Sequence, residues 1–267
     1  MSYIRLDFAD LAIAAVLVVF NGALSMALGL GIERRLLVSA GRMVVQLLLV
    51  GLVLEALFKA VSPWATAAVA LAMVLFAGRE AVARQDRRLA GWWSYGLGTG
   101  AMLAAAAAVM VFALTTALRP DPWYDPRYAI PLLGMVLGNT MTGISLGLNS
   151  LTGDLVGSRA AIEARLALGA DRTQAMLPLV RKSLRAALMP VVNAMAATGL
   201  VALPGMMTGQ ILGGVAPVEA VKYQILIMFL IAGGTGLGAV AAVMAGARRL
   251  TDHRHRLRAD RLAGGRG

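Results

Sequence analysis

The 267-residue chain is 59% hydrophobic and 15% charged, too little charge to clothe a water-soluble globule, so the composition reads as an integral membrane protein. The net charge of +11 would suit nucleic acid, but the Arg residues cluster beside apolar stretches, which is a membrane-orientation signal, and no nucleic-acid partner is expected. The absence of cysteine excludes disulfides, iron–sulfur ligation and thiol nucleophiles.

Apolar windows of about 20 residues, enough to cross a bilayer, fall near 9–31, 36–58, 61–78, 94–118, 130–151, 187–204 and 221–246. The predicted fold is therefore all-α, a polytopic transmembrane bundle of about seven spans. No linker divides it, so residues 1–247 are expected to form one membrane domain and 248–267 a basic, disordered cytoplasmic tail. The first window runs too far for a signal peptide and lacks an A-x-A site, which makes it a retained span. The second carries Arg42 and Glu55 at its ends, with Gln46 between them; the two ionisable groups either snorkel to the interfaces or serve function. After the fourth window, the loop "RPDPWYDPRYA" (119–129) holds three prolines with Trp123, Tyr124 and Tyr128, as an interfacial lid or an aromatic belt would.

In the fifth window Asn139, Thr142, Ser145 and Asn149 follow three- and four-residue steps and share a helix face. Such a stripe bonds a neighbouring helix or lines a cavity. The "GNTMTGIS" run there has Ile144 where a phosphate-binding loop needs Lys, and "GLGTG" at 96–100 has no preceding strand, so no nucleotide chemistry is expected in this chain. Next comes "RAAIEARLALGADRTQAMLPLVRKSLR" (159–185). Read as a helix over 159–177, it gathers Ile162, Leu166, Gly169, Thr173, Met176 and Leu177 on one side and points Glu163, Asp171 and Gln174 elsewhere. That is a short helix with a docking face, or an amphipathic helix lying on the membrane.

The span over 187–204 is then interrupted by Pro204-Gly205, followed by Met206, Met207, Gln210 and Gly213-Gly214. Irregular backbone at membrane depth suggests a gate or pathway; an ordinary hairpin is the alternative. Asn139, Thr142, Asn149, Met206, Met207 and Gln210 are the pathway candidates. Glycines at small-xxx-small spacing (134/138, 143/147, 209/213, 234/238) predict close helix packing. Both histidines, His253 and His255, lie in the Arg-rich tail, and neither H-E-x-x-H nor G-x-S-x-G occurs. Of the 25 Lys and Arg, only Arg5, Lys59, Arg119, Arg127 and Lys222 belong to one set of alternate connections. The positive-inside rule then places the N-terminus outside, the C-terminus inside and 159–185 in the cytoplasm.

"EARLALGA" (163–170) resembles the E-A-A-x-x-x-G loop by which ABC-transporter permeases seat a helix in their ATPase partner. Glu163, Ala164 and Gly169 match, Arg165 replaces the second Ala, and Leu177-Pro178 comes slightly early. With "LGNTMTGISLGLNSL" (137–151), "LPGMMTGQILGG" (203–214) and "EAVKYQILIMFLI" (219–231), in this order, the chain resembles the FetB-type iron-export permease family, which has plant aluminium-tolerance relatives. The resemblance implies a permease subunit of the bacterial inner membrane that exports metal ions such as iron. It further implies a separate ATP-binding-cassette ATPase as partner, a permease homodimer, no cofactor in this chain and ATP on the partner. The coupling segment so implied holds Glu163, Ala164, Arg165, Gly169, Ala170 and Arg172. Metal ligands are unknown from the sequence: Met206 and Met207 alone would favour soft ions. Competing readings are an ion-gradient-driven secondary transporter, for which no internal repeat is visible, and a non-transporting membrane scaffold.

Overall fold

A computed structural model describes residues 7–263, and every regular element among them is helical. Arg5 and Arg266, which enter the orientation pattern, lie outside the described residues. The chain divides into two compact units, Met1–Ser62 and Pro63–Gly267, where the sequence suggests one membrane domain.

The first unit is a helical hairpin of α1 (Phe8–Ala27) and α2 (Glu33–Ala60). Asp7 caps α1 in a reciprocal box with Asp10. Between the helices Gly29 and Gly31 take positive φ, and Ser25 Oγ donates to Glu33 Oε2 at 2.9 Å, so the turn's one acid is satisfied within it. Glu55 pairs with Lys59 at 2.7 Å on an exposed turn. Leu, Val, Ile and Phe side chains stand exposed along both helices, as lipid-facing residues must. The hairpin ends at Val61, with φ +39, just ahead of Ser62-Pro63, where helix is disfavoured.

The second unit contains α3 (Pro63–Ala83), α4 (Trp93–Phe112, continued by a wider turn over Ala113–Ala117), α5 (Pro126–Gly157), α6 (Arg159–Ala167), α7 (Arg172–Ala197), α8 (Gly205–Leu212) and α9 (Pro217–Arg249). Proline opens α3, α5 and α9, where its missing N–H costs nothing. Packing is by small residues. A Cβ added at Gly143 would meet Thr235 at 2.6 Å, and one at Gly234 would meet Val136 at 2.8 Å. Thr99 likewise fills the notch at Gly78 and Thr140 the one at Gly238. The glycine spacing at 143/147 and 234/238 therefore marks real helix contacts, with dispersion between close backbones supplying the attraction.

These contacts also fix direction. Rising along α5 from Val136 through Ile144 to Leu151, its partners on α9 rise from Gly234 through Gly238 to Gly246, so α5 and α9 are parallel. Gly143 faces the Ala187 carbonyl and Gly147 that of Ser183, so α7 runs against them. Ser145 donates to Ala81 O and Asn149 to Arg84 O, which makes α3 parallel to α5, while Val109 and Ala105 against Gly234 and Gly238 make α4 antiparallel. The ends that carry Arg84, Arg87, Arg88, Arg159, Lys182 and Arg248 consequently lie together.

Six helices, α1 to α5 and α9, are long and apolar enough to cross a membrane by length and composition. The expected span over 187–204 is not among them. Its helix is displaced toward the N-terminus: α7 stops at Ala197 and begins at Arg172, so Arg181, Lys182 and Arg185 lie within it. It nonetheless traverses the bundle between α5 and α9.

A candidate coupling element at the basic end

The helix expected over 159–177 is broken. α6 ends in a Schellman turn in which Gly169 N–H donates to Leu166 O at 3.1 Å and Ala170 N–H to Arg165 O at 3.0 Å, with Gly169 at φ +91. Four residues, 168–171, separate α6 from α7, and the last of them, Asp171, caps α7. The Asp171 carboxylate accepts from Thr173 N at 2.7 Å and Gln174 N at 2.8 Å, and His255 Nδ1 accepts from Arg172 N at 3.0 Å. The first three amides of α7, which have no partner within a helix, are thus all occupied. The bond from Gln174, then that from Thr173 with help from His255, holds the Asp171 carboxyl below its ordinary range against some desolvation.

Ile162 is buried and Leu166 half-buried, anchoring α6 to the bundle. Ala164, Arg165 and Gly169 are exposed, Ala170 and Arg172 intermediate. Glu163 is exposed as well and pairs with Arg159 at 2.8 Å. Every coupling candidate except the turn's own Gly169 and Ala170 is therefore on a helix, and Glu163 is presented outward. Below α6, α5 and α7 are tied by Lys182 to Asp154 at 2.9 Å. Thr173, placed by the helix reading on the same side as Ile162, is exposed; Met176 is buried.

The tail beyond α9 packs back on this end. Leu250 and Thr251 are buried, Ala90 N donates to Arg261 O and Ala263 N to Arg88 O, each at 2.8 Å, and Leu89 bridges Leu262. Arg249 stacks on Trp93 at 4.4 Å. Asp252 accepts from the amides of Arg254 and Arg256, and the Arg258 fork brings Asp260 down to about 2. This strap touches both the loop after α3 and the start of α7. Sequence pattern gives little sign of it, because its anchors are isolated Leu residues in an Arg-rich run.

The pathway candidates fall into separate places. Asn139 is exposed on α5 and donates to Met135 O, and Thr142 donates to Gly138 O, both within the helix. Asn149 bonds α3's end, donating to Arg84 O and accepting from Asp86 N. The polar stripe thus splits into a free upper half and an interhelical lower half. Met206, Met207 and Gln210 lie on α8, a two-turn helix packed on α9, between a turn with Gly199 at φ +93 and another with Gly214 at φ +93. Gln210 Oε1 is buried without a partner, as are hydroxyls of Thr99, Thr140 and Thr235 and Oε1 of Gln224. Sequence reading does not single out Thr99, Thr235 or Gln224; the signal for Thr99 and Thr235 is their packing against Gly78 and Gly143 of other helices. Among the described residues no three His, Asp or Glu gather as metal ligands.

Residues 8–251 match the uncharacterised protein family UPF0014. The UPF0014 membrane protein slr1647 of Synechocystis sp. is 40% identical over 85% of this chain and 87% of its own length. The "Probable iron export permease protein FetB" of Escherichia coli is 34% identical over 93% of each, and the UPF0014 membrane protein STAR2 of Oryza sativa subsp. japonica 37% over 85% and 78%. No solved structure matches the chain.

Proposed function

This chain belongs to the UPF0014 family, and on that premise we propose that it is the membrane-spanning permease of a transporter whose motor is a separate ATP-binding-cassette subunit. The carrying observation is α6: a short helix anchored by Ile162, with Glu163 facing out, set between two bundle helices by Ser158 and the four-residue turn 168–171. A push on α6 passes through short, hydrogen-bonded connections to α5 and α7 together, and the Lys182 to Asp154 pair keeps those helices in step. ATP is bound and hydrolysed on the partner.

The substrate is a metal ion and the direction export, a reading supported by the name of the Escherichia coli relative. Two copies act with two ATPase subunits. The protein resides in the bacterial inner membrane, with its N-terminus outside and the basic end, α6 included, in the cytoplasm; the gathering of Arg-bearing ends on one side supports this orientation. Asn139, Thr142, Met206, Met207 and Gln210 are exposed or half-exposed and supply the candidate lining.

The test is copurification with the ATPase and ATP hydrolysis in liposomes. Glu163 contributes only an exposed i,i+4 ion pair to this chain, worth about 0.3–0.5 kcal/mol. Glu163→Lys should therefore insert and fold normally, yet lower ATPase retention or uncouple hydrolysis from transport. Undiminished retention and metal-stimulated ATPase activity would assign α6 to the membrane surface, and transport without any ATPase would favour a gradient-driven carrier.

A further inference from the structure

The seam between α3 and α4 is not uniform. At one level Thr99 is driven into the notch at Gly78; beyond it the helices part and leave a cavity of about 340 Å3. Its α3 wall runs from Val74 to Pro63, its α4 wall from Leu103 on into the wider turn at Leu114, and α5 closes it with Ala129, Ile130 and Leu133, with Trp123 and Tyr124 at the far end. The α3 and α4 walls each rise eleven residues, about 16 Å at 1.5 Å per residue, close to half of the ~30 Å hydrocarbon thickness. The cavity thus spans one leaflet, from the midplane to the interfacial loop, on the side away from the basic end.

The walls are apolar apart from Thr66 and the aromatic rim. Water needs two to four polar partners and finds too few there, and a metal ion finds no ligand set. A hydrocarbon chain would restore the dispersion contacts that an empty cavity forfeits. At the mouth, Trp123 packs edge-to-face on Tyr124 at 5.9 Å, both amphipathic rings suited to headgroup depth. The same loop carries exposed Arg119 and Arg127. Of its two acids, Asp125 is engaged in capping α5 through Arg127 N, leaving Asp121 as the other negative charge. Arg119, whose Nε donates to Thr116 O at 3.1 Å, and Arg127 flank the Trp123–Tyr124 pair in sequence and supply the positive charge that an anionic headgroup would meet.

We propose that this cavity holds one acyl chain of an anionic phospholipid, its phosphate at Arg119 and Arg127 and its tail ending above the Gly78–Thr99 contact. The loop with Trp123 and Tyr124 is then a lid on a lipid site as well as part of an aromatic belt. The inference needs no ATPase partner and stands apart from the transporter reading.

The test uses the full chain in liposomes of phosphatidylethanolamine and phosphatidylglycerol, doped with phosphatidylglycerol bearing a diazirine either in mid-chain or near the carbonyl. After illumination, mid-chain adducts should concentrate on the α3, α4 and α5 residues of the cavity wall and carbonyl-proximal adducts on residues 119–127. Ala70→Phe and Ala107→Phe, which fill the cavity, should lower these adducts about tenfold if the site rather than the bulk bilayer holds the chain. Ala104→Phe, whose parent lines a different cavity beside Trp92 and Trp93, should leave them unchanged; Ala107→Leu serves if the larger side chain prevents insertion. Adducts spread evenly over all outward helix faces and insensitive to filling would mean surrounding lipid only. Disulfide capture of a second copy by cysteine at Ala107 would mean that protein covers the cavity, and either result overturns the proposal.

Discussion

Threonine packed into glycine recurs in the second unit. Thr235 at Gly143, Thr140 at Gly238 and Thr99 at Gly78 each bury a hydroxyl with no partner. Unpaired buried hydroxyls are expensive, so the side chain's shape and not its oxygen holds the contact. Gly143→Ala should destabilise the fold by about 1–3 kcal/mol through overpacking, because its Cβ would stand 2.6 Å from Thr235 Cγ2. Adding Thr235→Ala should recover much of that loss, a coupling readable in a double-mutant cycle of detergent unfolding. Thr235→Val, which keeps the shape, should be neutral or stabilising. If it instead impairs transport while stability holds, the hydroxyl meets the substrate in another state. The candidate lining is only partly legible from sequence for the same reason. A helix-face count groups Asn139 with Asn149, and only the neighbouring backbone of α3 reveals that Asn149 is already engaged.

The helix that periodicity predicts over 159–177 starts where the structure has it start, at Arg159, but its far end does not, because periodicity passes smoothly through 168–170 and α7 runs on to Ala197. The break depends on Gly169 at φ +91 and on Asp171 competing for the next amides. No heavy atom lies within 4 Å of a Cβ built at Gly169, so strain and not crowding will decide substitutions within this chain. Gly169→Val should cost about 1–3 kcal/mol and Gly169→Asn less, since Asn tolerates left-handed backbone better. Equal loss from both would point to a clash with a docked partner. Asp171 supplies a pH test. Its carboxyl sits below its ordinary 3.8 in the folded chain, so its stabilising share is complete above that value and is lost as pH falls through the lower folded one. Protection of the Thr173 and Gln174 amides, measured against their intrinsic exchange rates, should therefore fall as pH drops through that lowered value, and Asp171→Asn, which has no carboxyl to titrate, should abolish this pH dependence.

At the scale of the whole chain, the all-helical membrane class and six of the spans are plain from composition and window length. α7 is the exception, and the reason is physical. From Arg185 to Ala197 it offers too short an apolar stretch, about 18 Å, to satisfy a hydropathy window. But Ser183, Ala187 and Val191 are buried against the bundle, so fewer of its residues face lipid and the composition required of a lone span does not apply. A basic stretch in a shielded helix can be carried to depth where an isolated helix would resist it. Count and geometry then disagree about parity: six crossings would return the tail to the side of the N-terminus, whereas an antiparallel α7 of 26 residues, about 39 Å long, is long enough for a seventh, which would leave the two termini on opposite sides. Single cysteines in this cysteine-free chain separate the cases. An impermeant maleimide applied to intact cells should label Asp125→Cys and Leu200→Cys, the latter on the exposed turn after α7, and should reach Ser158→Cys and His253→Cys only after permeabilisation. Leu200→Cys protected together with Ser158→Cys would mean that α7 folds back without crossing, and the basic end would no longer have a single side. Labelling of Asp125→Cys only after permeabilisation, with Ser158→Cys open, would instead invert the whole protein and remove α6 from any cytoplasmic motor.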